Sequence, residues 1–177
     1  MYYARDVLGS ADLYIVLTVV QIVGMVAAAV VVPKAVEAAC KRRVYLVAGV
    51  ITAAAGVGVA VAPGSLPVTG IIAFGVLGFG MGVLNTLIFA LQADTVDYGE
   101  WKSGVRAEGG SYAVLSFTRK AGQGLGGAVA AFTIGFGGYV AGAPTQSTAA
   151  ETSIRLAAGA LPAATFLAAT AVMLAYP

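Results

Sequence analysis

Apolar residues run along this chain in long blocks that short polar stretches interrupt, and the blocks are too long for strands or for ordinary buried helices. Residues 11–32 are apolar apart from Thr18 and Gln21, and Pro33 is expected to close that helix. Further blocks cover residues 44–62, 68–93, 111–136 and 152–175, the last carrying Pro162 as an expected kink. Each reaches the roughly 18–20 residues that cross a bilayer core. The pattern predicts an all-α membrane protein with five transmembrane helices. The connections are residues 33–43, the uncharged turn Pro63–Pro67, residues 94–110, and a polar loop from Gly137 to Glu151 that is uncharged until Glu151.

Composition agrees with lipid as the solvent. Hydrophobic residues make up 59% and charged residues 10%, with a mean hydropathy of +0.90. A soluble domain has about a quarter of its residues charged. With no His and one Cys, zinc and iron–sulfur sites and an intrachain disulfide are excluded. Cys40 is not in a lipoprotein box, since Glu37, Ala38 and Ala39 precede it. The first apolar run is long enough to span, so no cleaved signal peptide is expected.

Charge sets orientation. Lys34, Lys41, Arg42 and Arg43 lie in one connection, and Lys102 and Arg106 in the next on the same side; the opposite side has Arg5 and Arg155. Six against two places residues 33–43 and 94–110 in the cytoplasm, with the amino terminus outside and the carboxyl terminus inside. The expected location is the plasma or inner membrane, multi-pass. Five spans are an odd number for a carrier built from paired repeats, so the chain reads as part of something larger.

Two cations fall deep in the fourth block. Lys120 lies about 13 Å from its charged end, near the middle of a core about 30 Å thick. An unpaired cation there costs several kcal/mol, so it should meet a wet cavity, a carboxylate or a ligand. No Asp or Glu of this chain shares its depth. A snorkelling cation is the alternative, and Arg119 is the better placed for that. Tyr112, Ser116, Arg119 or Lys120, and Gln123 share one helical face, a stripe suited to a polyhydroxylated ligand or to bonds between helices. Asn85 and Thr86 lie about 12 Å from the same side in the third block, and either line that cavity or bond across an interface. Residues Gly122–Gly127 match G-x-G-x-x-G, but inside an apolar helix they suit close helix packing, as do Gly75, Gly78, Gly80 and Gly82. No nucleotide, nucleic acid or metal partner is expected. No nucleophile–base pair or paired carboxylates mark an enzyme.

The connection 94–110 carries four carboxylates, Asp94, Asp97, Glu100 and Glu108, against Lys102 and Arg106. Topology alone would be served by cations. Asp94 and Asp97 share a helical face and can pair with arginines, the layout of an ion-paired latch.

The string ADTVDYGEWKSGVRAEG at 93–109, followed by SFTRK and GLGGA, resembles the glycoside–pentoside–hexuronide:cation symporters, the melibiose-permease-like branch of the major facilitator superfamily. YYARDVLGS near the start, KRRV at 41–44, PGSLP, Gly138–Val140, Gln146-Ser147, Leu161-Pro162-Ala163 and the terminal Tyr176-Pro177 extend the resemblance. It covers nearly the whole chain and only the carboxyl-terminal part of a family member. The resemblance implies most of the carboxyl-terminal six-helix bundle of a twelve-helix major facilitator fold, moving a sugar or glycoside with Na⁺ or H⁺. It implies a sugar site at Lys120 and Ser116 with Asn85, Arg119 and Gln123 beside them. Asn85 stands where some relatives carry a stacking aromatic. It implies a cytoplasmic gate at Asp94, Asp97, Glu100, Arg106 and Glu108. The expected partners are the bilayer, the sugar and an amino-terminal six-helix bundle that holds the coupling cation; no other cofactor is expected. This chain alone is then inactive in transport. A truncated sensor or assembly partner that keeps the fold is the alternative.

Overall fold

The computed structural model describes residues 1–176 and, among them, contains helices and no strand. Pro177, of the terminal Tyr176-Pro177 pair, lies outside the described residues. A π-helical turn at Tyr3–Val7 is followed by α1 (Leu13–Ala38), α2 (Lys41–Val61), α3 (Pro67–Ser103), α4 (Glu108–Phe136), α5 (Thr148–Arg155), a second π-helical turn (Leu156–Ala160) and α6 (Leu161–Met173). Four stretches are long and apolar enough to cross a membrane: α1, α2, α3 and the continuous α5–α6 rod. The fifth expected span, α4, is 29 residues long, so what it lacks is apolarity, not length.

Helix ends differ from the pattern in the polar connections. Pro33 does not close α1; it sits inside the helix, which continues to Ala38. A proline removes one backbone donor, and long membrane helices tolerate that loss where tertiary packing holds them. The connection to α2 is therefore only Ala39 and Cys40. Residues 94–103 are helical too. At 37 residues α3 is about 55 Å long, well beyond a core of about 30 Å, so its last turns project out of the apolar layer. Gly104 ends it at φ 73°, a left-handed cap that suits glycine, and its N–H donates to the Glu100 carbonyl at 2.8 Å. The actual break before α4 is residues 104–107. Farther on, α5 starts at Thr148, where the Ser147 hydroxyl accepts from the Ala150 N–H at 3.2 Å.

The bend expected at Pro162 takes the form of the π turn directly before it, closed by the Leu161 N–H on the Leu156 carbonyl. Widening one turn absorbs the missing proline donor without unwinding the rod.

Packing centres on α3. Small residues let the helices close in: a side chain on Gly78 would strike the Gln21 backbone of α1, and one on Gly80 would strike Thr52 of α2. Where α2 meets the second π turn, Gly56 and Gly159 face one another in the same way. Thr52 is fully buried, and its hydroxyl donates to the Ala48 carbonyl at 2.6 Å, so the close packing strands no donor. Two apolar clusters result. One gathers Tyr3, Val7, Leu17, Val59, Leu77 and Ile154; the other gathers Ala28, Tyr45, Leu84, Leu87 and Met173. Valines and isoleucines such as Ile15, Val23, Val26, Val57 and Val61 remain outside on α1 and α2, the surface a lipid solvent requires.

α4 is the exception, because it has no buried residue. It approaches the rest near its two ends, where Ser111 meets Gln92 and where Gly137 lies against Ser153. Gly122, Gly124, Gly126 and Gly127 have open space where a side chain would project, so the close packing expected of GQGLGG is absent. Glycines permit an approach but supply no surface that drives one, and Phe117, Leu125, Phe132 and Phe136 stay exposed.

Candidate functional site

Because α4 stands off, a cleft opens between it and the packed helices. One compartment, about 520 Å³, is lined by Asn85 and Met81 of α3, Arg119 and Gln123 of α4, Tyr45 of α2, and Thr165 and Phe166 of α6. A second, about 610 Å³, lies farther along and includes Gln21, Phe74, Leu77, Gly126 and Pro162. Both are lined by Met81, Gly122, Thr165 and Phe166, so they form one continuous cleft. The walls are apolar with a few convergent amide, hydroxyl and guanidinium groups, the make-up of a small-molecule site.

The structure brings three of the five expected ligand residues together there: Asn85, Arg119 and Gln123. The Arg119 guanidinium also lies over the Phe89 ring, 5.3 Å from its centroid. Thr86 lines neither compartment, and its hydroxyl donates to the Gly82 carbonyl of its own helix at 2.9 Å. Ser116 and Lys120 do not line either compartment; both are exposed on α4. Among the described residues Lys120 makes no ion pair and no side-chain hydrogen bond.

Pattern reading passed over Gln21, noting it only as an interruption of an apolar run. Its amide donates to the Met81 sulfur at 3.7 Å within the cleft. A lone amide in an otherwise apolar span was the available signal. Thr165 and Phe166 carried none, because nothing in the spacing says which face of the last rod meets the third helix.

Below the cleft lies the charged end. Arg106, in the short break between α3 and α4, donates to Asp97 at 3.2 Å and Glu100 at 2.6 Å on α3, and to Glu108 at 3.1 Å on α4. Three carboxylates around one guanidinium hold its pKa well above the usual arginine value. Asp94 pairs with Lys41 instead, so the expected partner is a lysine at the start of α2 and not an arginine. Gln92 donates to the Ser111 hydroxyl, a direct tie between α3 and α4 just inside the charged end. All five expected gate residues are therefore engaged, in two separate sets.

At the other end, side chains close off the carbonyls that finish α2. The Tyr3 hydroxyl donates to Val59 at 2.8 Å, and Arg155 donates to Ala60 at 3.4 Å and to Ala62. Arg5 reaches the Ala143 carbonyl at 3.0 Å. Burial raises the Tyr3 phenol above its ordinary pKa, and Arg155 opposes that in part.

Comparison with known proteins bears on all three regions. The family described as "MFS/sugar transport protein" matches residues 1–177. The "Glucuronide carrier protein homolog" of Escherichia coli K12 is 38% identical over 179 residues, which is 100% of this chain and 39% of that protein. The "Putative sulfoquinovose importer" of the same organism is 35% identical over 140 residues, 79% of this chain and 30% of the importer. An "Isoprimeverose transporter" of Lactiplantibacillus pentosus is 53% identical over 62 residues, 35% of this chain and 13% of the transporter. The chain thus spans less than two thirds of the length of these relatives. No solved structure matches it.

Proposed function

Because this chain belongs to the MFS/sugar transport protein family, we propose that it forms the carboxyl-terminal part of a secondary active transporter that moves a sugar or glycoside with Na⁺ or H⁺ by alternating access. Its relatives are carriers, not enzymes, and its apolar helices make it a multi-pass membrane protein. The cleft between α3, α4 and α6 is one side of the sugar site, and an amino-terminal six-helix bundle supplies the other side together with carboxylates for the coupling cation.

The observation that carries this reading is the grouping of Asn85, Arg119 and Gln123 in a cleft of about 520 Å³ that is otherwise apolar. That volume lies within the roughly 300–1,000 Å³ of small-molecule sites. Amide and guanidinium groups offer donors and acceptors to hydroxyls, while Tyr45 and Phe166 offer ring faces. Lys120 and Ser116, on the outward surface of α4, face the volume that the second bundle fills. There a sugar substituent or a carboxylate from the partner compensates the lysine.

On this reading the charged end lies in the cytoplasm. Arg106 with Asp97, Glu100 and Glu108, and Lys41 with Asp94, hold that end together in one state of the cycle and let go in another. The carboxyl terminus lies on the same side.

Glycoside binding by the full carrier, measured calorimetrically for wild type and Lys120→Ala, tests the assignment. Lys120→Ala is expected to abolish binding with expression and helicity intact. Unchanged affinity removes Lys120 from the site.

A further inference from the structure

A slot that takes no part in the cleft opens on the far side of the packed helices, between α1 and α2 with α3 as its floor. Its volume is about 140 Å³, and its walls include Val31, Ala35, Val44, Val47, Ile51 and Phe79. Every side chain on these walls is apolar, so the slot suits a hydrocarbon and offers nothing to a sugar. It runs along α2 from Val44 to Ile51, about 10 Å. Val31, Val47 and Ile51 are exposed on its rim, which leaves it open to the surrounding lipid.

One end of the slot is basic. Lys34 sits one turn beyond Val31 and next to Ala35; Arg43 sits beside Val44 and one turn before Val47. The other two cations near the junction of α1 and α2 are engaged, Lys41 with Asp94 and Arg42 with the Leu174 carbonyl at 2.6 Å. Lys34 and Arg43 are exposed and, among the described residues, make no ion pair or side-chain hydrogen bond. Glu37, near the end of α1, is the one carboxylate among residues 33–43; it too is exposed and pairs with neither. The first turn of α2, which carries Arg43, receives no side-chain cap, so its orphan N–H groups and the positive end of a 21-residue helix lie at this same end of the slot.

We infer that this slot binds an anionic phospholipid: one acyl chain lies between α1 and α2, and the phosphate sits between Lys34, Arg43 and the start of α2. A hydrocarbon groove with uncommitted cations and an uncapped helix amino terminus at one end has the charge and polarity of that molecule from end to end. A zwitterionic lipid would fill the groove equally but gain little from the cations. A water-soluble phosphate would meet the cations but leave the groove to other chains.

The full chain in dodecyl maltoside micelles, titrated with dioleoyl-phosphatidylglycerol and with dioleoyl-phosphatidylcholine and read by native mass spectrometry, tests this. Wild type is expected to favour phosphatidylglycerol by about tenfold or more, the scale set by two cations near a phosphate. Lys34→Gln with Arg43→Gln is expected to erase that preference, and Lys102→Gln, an exposed cation on α3, to keep it. Val47→Trp, which fills the groove, is expected to weaken both lipids while the protein stays helical and monodisperse. Glycerol phosphate without chains is expected not to compete. Equal affinity for the two lipids overturns the inference. So does a preference that survives loss of both cations, one lost equally with Lys102→Gln, tight lipid binding by Val47→Trp, or competition by glycerol phosphate.

Discussion

The Lys41 ammonium lies 2.7 Å from both carboxylate oxygens of Asp94, joining the first residue of α2 to the projecting part of α3. Each side chain is a third to a half exposed, and such pairs contribute only about 0.2–1 kcal/mol. The pair is therefore too weak to hold the fold and suited to opening. Asp94→Asn is expected to change unfolding free energy by about 1 kcal/mol or less, yet to cut transport by the full carrier strongly. Reversal, Lys41→Asp with Asp94→Lys, is expected to recover part of the activity. A large loss of stability in Asp94→Asn would make the pair a structural tie.

Arg106 differs in kind, because one planar guanidinium serves three carboxylates on two helices. Lysine cannot reproduce that fork. Arg106→Lys and Arg106→Gln are both expected to raise amide hydrogen exchange across residues 104–111, with glutamine the larger effect. The sign with pH follows from the raised pKa: a cation stabilised in the fold keeps its contribution below its unfolded value and loses it only above. Protection, corrected for intrinsic exchange, should then stay flat from about pH 7 to pH 10, below the ordinary arginine range. High salt should lower it, since the cluster is exposed.

Much of this was legible in the chain. Long apolar blocks and their spacing give the helices, because lipid leaves no other way to satisfy the backbone. The cluster from Asp94 to Glu108 and the cations at 119 and 120 stand out against so apolar a background. Less legible was where helices end in water: Pro33 and residues 94–103 read as connections by polarity, yet their backbone bonds continue the helix. Whether a glycine faces a neighbour was not legible either. Gly78 and Gly126 look alike in sequence, but one is pressed on Gln21 and the other borders an open cleft.

That contrast is measurable. A side chain on Gly78 meets backbone atoms that cannot yield, so Gly78→Ala is expected to destabilise by about 1–3 kcal/mol. Gly126→Ala has nothing to strike and reduces the flexibility of a helix interior, worth about 0.5–1 kcal/mol in its favour. Denaturant unfolding in micelles compares the two. Equal costs would mean that α4 packs as closely as α1 does.

At the amino-terminal end, Tyr3 should report on the seam between the first π turn and α2. Its hydroxyl donates to Val59, and a phenolate cannot. With the folded pKa raised, the bond contributes fully below the ordinary tyrosine value near about 10 and is lost as pH rises through the folded one. Tyr3→Phe is expected to cost about 1 kcal/mol at neutral pH and progressively less in strong alkali. A cost independent of pH would break the link between that bond and stability.

Within the cleft, Asn85→Ala and Gln123→Ala in the full carrier are each expected to weaken glycoside binding by about tenfold, the worth of one hydrogen bond to a ligand. Arg119→Ala should act more strongly, because it removes a charge and uncovers Phe89. Thr86→Val is expected to leave affinity unchanged, since that hydroxyl is spent within α3.

The central claim is that these residues form one side of a transport site that a second bundle completes. Uptake of radiolabelled glycosides into vesicles tests it most directly, with this chain alone and with the chain co-expressed beside the amino-terminal six helices of a relative. Cation-dependent uptake is expected only when both are present. Robust cation-dependent uptake by residues 1–177 alone would contradict it.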